Sequence, residues 1–134
     1  MPFIAIKTTG STLGPAAIQT LQRETTALRA DIMGKKAEVT AVLVEDAPAS
    51  HWSVGGQALA GSGGVTAHVD IKITQGTNTT AEKAAMIAAT RDMLVRVLPD
   101  LSDVAYVVID EIPATDWGYG GLTQAERKRR ADAA

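Results

Sequence analysis

The segment Pro48-Ala-Ser-His-Trp-Ser-Val-Gly-Gly56 returns 65 residues later as Pro113-Ala-Thr-Asp-Trp-Gly-Tyr-Gly-Gly121. At the same offset Ile6-Lys7 meets Ile71-Lys72 and Thr9 meets Thr74. Each Pro-Ala-x-x-Trp block follows an apolar run that ends in acids, Val39 to Asp46 and Val104 to Glu111. Two copies of one pattern in 134 residues imply two copies of one supersecondary unit. Neither copy could bury a sheet face against a single helix with much stability, so the copies are expected to share one core.

Each half reads strand, helix, strand and Gly-rich turn. Residues 2–8 alternate, with Phe3, Ala5 and Lys7 on one face and Ile4 and Ile6 on the other. Residues 66–74 alternate more cleanly, Val69, Ile71 and Ile73 opposing His68, Asp70 and Lys72. A helix is predicted from Gly14 to Met33, its inner stripe Ile18, Leu21, Leu28 and Ile32, with Pro15 in the first turn and Gly34 as the stop. A second is predicted from Thr80 to Leu98, capped by Thr79 or Thr80, lined by Ile87, Leu94 and Leu98, and ended by Pro99. The β-branched runs 39–45 and 104–110 suit strands of a sheet covered on one side by helices. The expected fold is α+β: two fused βαβ halves forming a four-stranded sheet packed on two helices. It is read as a single domain of pseudo-repeats 2–60 and 65–124, joined by a flexible connector at Ala60–Val65 and followed by a polar tail, 123–134.

Composition narrows the function classes. There is no cysteine, which excludes disulfides, thiolate catalysis and zinc–cysteine sites. A net charge of -2 speaks against nucleic acid as a partner, and no apolar run approaches the length of a membrane span. The start MPFIAIKTTG lacks the pattern of a secretory signal, so a cytoplasmic protein is expected. His51, His68 and Asp116 form no cluster at metal-ligand spacing, so no metal is expected, and no Ser–His–Asp set or phosphate loop is recognisable.

Pro2-Phe3-Ile4, Gly10, the helix, the strand Val39–Glu45 and Trp52-Ser-Val-Gly-Gly56, in an order of elements that is duplicated, resemble the tautomerase superfamily. The match is to double-length members, in which two 4-oxalocrotonate-tautomerase-like units are fused. The resemblance implies that the initiator Met is removed and that the Pro2 nitrogen moves protons without a cofactor. The chemistry is plain without the family: a free proline is a secondary amine anchored to a strand. Desolvation in an apolar pocket lowers its affinity for protons towards neutrality. The position matching Pro2 in the second half is Ala67, internal and without an amine, so one proline site per chain is expected. The resemblance further implies a homotrimer and a small enol or keto acid as substrate.

The arginines with which short relatives clamp diacids are absent. Ser11 and Thr12 follow Gly10, Thr40 holds the strand position, and Thr77 and Tyr106 stand at the corresponding places in the second half. A diacid substrate is therefore not expected. The helical arginines Arg23, Arg29, Arg91 and Arg96 read as solvated faces. Lys35, ahead of Lys36, resembles the Gly-Lys turn of the macrophage-migration-inhibitory-factor branch and would contact a carboxylate; both lysines equally suit the end of a helix. Tyr106 could donate to a carbonyl or enolate oxygen. Trp52 and Trp117 would supply an apolar wall, or plug hairpins. The expected activity is keto–enol tautomerisation. Proline-based hydration, dehalogenation or decarboxylation, and a non-catalytic trimeric binding module, are the alternatives.

Overall fold

The computed structural model describes residues 2–10, 13–61 and 63–134. Met1, Ser11 and Thr12, which carry some of the expectations above, lie outside them. The first half runs β1 (Phe3–Thr9), α1 (Pro15–Met33), β2 (Ala41–Asp46) and a short hairpin, β3 (Ser53–Val54) with β4 (Gln57–Ala58). The second repeats it as β5 (Thr66–Thr74), α2 (Thr80–Val97), β6 (Tyr106–Ile112) and a hairpin of β7 (Gly118–Tyr119) with β8 (Leu122–Thr123). A third helix, α3 (Gln124–Ala133), follows.

The main sheet has the order β2-β1-β5-β6. Its outer pairs are parallel and its central pair, β1 with β5, is antiparallel. The duplication holds at the level of single partners: Phe3 faces Ala41 as His68 faces Tyr106, and Lys7 faces Glu45 as Lys72 faces Asp110. Both hairpins turn on Gly-Gly pairs with positive φ, Gly55-Gly56 and Gly120-Gly121, the backbone a two-residue turn of matching twist requires. Gly10 has a second reason to be glycine, since a Cβ there would run into the Gly64 carbonyl.

Burial follows the strand alternation. Ile4, Ile6, Val69, Ile71 and Ile73 face the helices and are sealed from solvent. The opposite face of the sheet is bare, exposing Phe3, Leu43, Tyr106 and Val108. α1 is stopped by Gly34 in the left-handed conformation. α2 starts in a capping box, in which the Glu82 amide donates to Thr79 Oγ1 at 3.1 Å and the Thr79 amide to Glu82 Oε1 at 2.8 Å.

Four expectations are corrected. The stripe of α1 that meets the core is Leu21, Thr25, Arg29 and Met33, four residues apart, with Leu28 and Ile32 on its flank. On α2 the inner residues are Met86, Thr90, Met93 and Leu94; Ile87, one step round the helix, is 40% exposed. The second strand of each half starts two residues late, because a 3₁₀ turn occupies Ala37–Val39 and Val104 precedes β6. The polar tail, for which the sequence predicts no element, is helical: Thr123 Oγ1 accepts from the Glu126 amide at 3.0 Å, and Glu126 binds Arg129 and Arg130. Two helical arginines are also not solvated faces. Arg29 is fully buried, and Arg91 donates to the Ser102 carbonyl at 2.6 Å, tying α2 to the loop before β6.

Candidate active site

Pro2 is buried one residue ahead of β1, and its carbonyl accepts from the Ala41 amide at 3.3 Å. By the strand alternation its ring shares the helix-facing side with Ile4. Because β5 runs antiparallel to β1, the end of β5 lies at the same edge of the sheet, Phe3 facing Lys72. The chain leaving α1 returns to this edge too. The Gly34 cap aims Lys35 at the loop after β5, where its ammonium donates to Thr77 Oγ1 at 2.7 Å. Thr77 in turn donates to the Thr74 carbonyl at 2.7 Å. Thr74 Oγ1 accepts from Trp117 Nε1 at 3.2 Å, which brings the second hairpin to the same edge.

Pro2, Lys35 and Trp117 therefore gather at one end of the sheet within a single chain. Tyr106 and Trp52 do not. Tyr106 faces His68, which faces Lys7, so it stands five strand residues, about 16 Å, from the level of Pro2. It is 63% exposed and has no core role. Trp52 lies six residues beyond β2, whose last residue, Asp46, is level with Thr8 at the far edge of the sheet. Lys36 is exposed, and Thr40 spends its hydroxyl on the Lys36 carbonyl at 2.7 Å.

Two cations influence each other at this end. Burial pushes the Lys35 ammonium below the usual lysine range, the nearby Arg29 charge pushes it further, and Glu82 draws it back. The Arg29 guanidinium is itself lowered to about 10 by burial. None of its three side-chain nitrogens has a hydrogen-bond partner among the described residues.

A groove of about 270 Å³ opens beside Lys35, between Gly34–Lys36 and Val39 on one side and Tyr119, Gln124, Arg127 and Lys128 on the other. Arg127 is fixed there: its Nε and Nη2 donate to the Tyr119 carbonyl at 3.2 and 2.8 Å, and its guanidinium lies 3.7 Å over the Tyr119 ring. A second concavity of about 290 Å³, enclosed by the hairpin around Trp117, carries only Asp116 as a charge and is the wrong sign for an acid substrate. Arg29, Arg127 and Gln124 escaped the sequence reading. For the last two a signal existed, Thr123-x-x-Glu126, which marks a helix start. Among the described residues no three His, Asp or Glu side chains come together as a metal site, and no helix is long and apolar enough to cross a membrane.

Comparison with known proteins agrees with this fold. A family model described as "Tautomerase enzyme" matches residues 2–60 and again 68–127. Probable tautomerase K2 of Dickeya dadantii is 35% identical over 63 residues, covering 47% of this chain and 94% of that protein. The crystal structure of native fused 4-OT superposes with a TM-score of 0.85 at 26% identity, over 95% of this chain and 99% of that one. The R7 fused 4-OT, an asymmetric trimer, gives 0.81 at 26% identity over the same shares.

Proposed function

Because the chain belongs to the tautomerase family, we propose that it is a cofactor-free cytoplasmic keto–enol tautomerase of a small enol acid, with Pro2 as the proton shuttle. The observation that carries this reading is the convergence of a buried Pro2, Lys35 and Trp117 at one end of the sheet. With Met1 removed, the Pro2 nitrogen is a secondary amine at a buried position, at the same end of the sheet as a lysine that is already short of solvent. Both conditions disfavour the protonated amine and make it a base near neutral pH. It takes the proton from the enol oxygen and returns one to the substrate carbon. An O–H bond breaks, a C–H bond forms, and the C=C–O system becomes C–C=O. Lys35 meets the substrate carboxylate, and Trp117 walls the pocket against water.

Tyr106 and Trp52 join this site only from another subunit, since their own Pro2 is a strand-length away. The bare sheet face with Phe3, Leu43, Tyr106 and Val108 suits such an assembly. A solved fused relative is a trimer, and a homotrimer is the assembly proposed here.

Intact mass and turnover test the reading together. The protein should lack Met1 and ketonise phenylenolpyruvate, and Pro2→Ala should lower kcat/KM by about 100-fold or more. Equal rates for the two proteins, or turnover by material that retains Met1, would end it.

A further inference from the structure

We infer that the guanidinium of Arg29, buried between α1 and α2, is the binding site of one small monovalent anion, chloride, with Thr90 as its second donor. The site lies inside the helix layer and is independent of the proline chemistry. The two helices run antiparallel, which fixes what faces Arg29. Glu24 pairs with Arg96 at 2.8 Å, Thr25 Oγ1 donates to Met93 Sδ at 3.4 Å, and the Met33 carbonyl accepts from Asn78 Nδ2 at 3.0 Å just before α2 begins. One turn on from Thr25, Arg29 is therefore level with the stretch of α2 that carries Met86 and Thr90. All three side chains are sealed from solvent.

Arg29 and Thr90 are the polar groups left over at this level. Nε, Nη1 and Nη2 of Arg29 and Oγ1 of Thr90 are buried without a hydrogen-bond partner among the described residues. Other helical threonines behave differently. Thr20 and Thr26 donate to the carbonyl four residues back, and Thr25 donates to Met93. Burial alone lowers the Arg29 guanidinium, and only to about 10, so it is a cation at neutral pH. Glu82, the acid that acts on Lys35, is occupied by the Thr79 amide and the Asn78 side chain. What these donors call for is an acceptor that carries negative charge. Water would meet the N–H groups and leave the charge uncompensated. A halide meets both needs in about the space of one water molecule. Met86 and Met93, unbranched and polarisable, are the neighbours best able to shift around it. Packing does not explain the arginine, since the same position in the second half is Leu94. The site also lies behind Lys35, whose hold on its proton the Arg29 charge weakens. A bound anion cancels part of that push and leaves Lys35 more firmly protonated.

Urea unfolding at constant ionic strength tests this, with about 150 mM sodium chloride exchanged for sodium methanesulfonate, whose anion is too large for the space. Chloride should raise the folded-to-unfolded ratio of the wild type about tenfold, the gain expected of an ion present at about ten times its Kd. Arg29→Leu, which has no charge to compensate, should gain less than about twofold. An equal gain in both proteins is a bulk salt effect and overturns the proposal, as does no gain in the wild type. Should Arg29→Leu fail to fold, Thr90→Val should cut the chloride gain to about threefold, and an unchanged gain overturns it. Crystals grown in sodium bromide give the direct view. An anomalous peak at hydrogen-bond distance from the Arg29 guanidinium and Thr90 Oγ1 is expected, and ordered water alone at that place overturns the assignment.

Discussion

Thr25 on α1 and Thr90 on α2 stand at matching places on the two buried helix stripes; one turn further on, the stripes differ, with Arg29 on α1 and Leu94 on α2. Both side chains are fully buried. The fold therefore accepts hydrocarbon at this place, and the charge in the first half is not required by packing. Burying a guanidinium with no partner is among the more expensive things a core can contain. The half that carries it is the half that carries Pro2 and Lys35, whereas its counterpart has Ala67 where Pro2 would be. The hairpin contacts differ as well. Thr9 donates its hydroxyl to the Ala47 carbonyl at 2.6 Å, while the equivalent Thr74 accepts from Trp117 and so draws the second hairpin onto the proline end. One repeat thus carries Pro2 and Lys35 and tolerates a buried charge, and the other supplies apolar core, Trp117 and α3.

The sharpest way to break this comparison is to move the charge. Leu94→Arg puts a cation where the second half has no use for one, and should cost about 4 kcal/mol in urea unfolding. A loss under 1 kcal/mol would show that the two stripes are equivalent hosts for arginine. The reverse exchange, Arg29→Leu, should stabilise the protein by about 2 kcal/mol, since it replaces a buried charge with the residue its twin position already uses. It should also raise the Lys35 titration followed by NMR, because one of the two influences lowering it is gone. The signs follow from linkage. Both cations titrate lower when folded than when unfolded, so the unfolded chain binds more protons in the interval. Wild-type stability should rise with pH above about 10 on account of Arg29, and Arg29→Leu should lose that rise.

Thr74→Val leaves the Trp117 N–H without its acceptor and should cost about 1 kcal/mol. It should raise KM as well, while Thr9→Val, at the other end of the sheet, should affect stability alone. Identical kinetic effects would remove the hairpin from the site. The smallest effect lies on α3. Its Arg129 and Arg130 hold the Glu126 carboxyl down at about 2, so the support it lends the helix is full above about 4.5 and fades as pH falls towards 2. Glu126→Gln should abolish that acid dependence of α3 helicity, measured by NMR, and leave the main sheet untouched.

The repeat in the sequence determined the four strands, the two long helices and the hairpins, because alternation, helical spacing and Gly-Gly turns are local demands that each segment meets alone. Pro2, Lys35 and Trp117 were legible as chemistry for the same reason: an N-terminal amine candidate, a cation after a helix stop and an aromatic before a Gly-rich turn are visible one residue at a time. What was not legible depends on orientation. Arg29 carries the same charge as Arg23, and only the rotation of α1 against α2 puts one inside and leaves the other in water. Whether Tyr106 can meet its own Pro2 depends on strand register, which sets about 16 Å along the strands between their levels. The groove behind Lys35 depends on where α3 docks. Its walls come from residues nearly a hundred positions apart, and the field they share arises from proximity that only the folded chain creates.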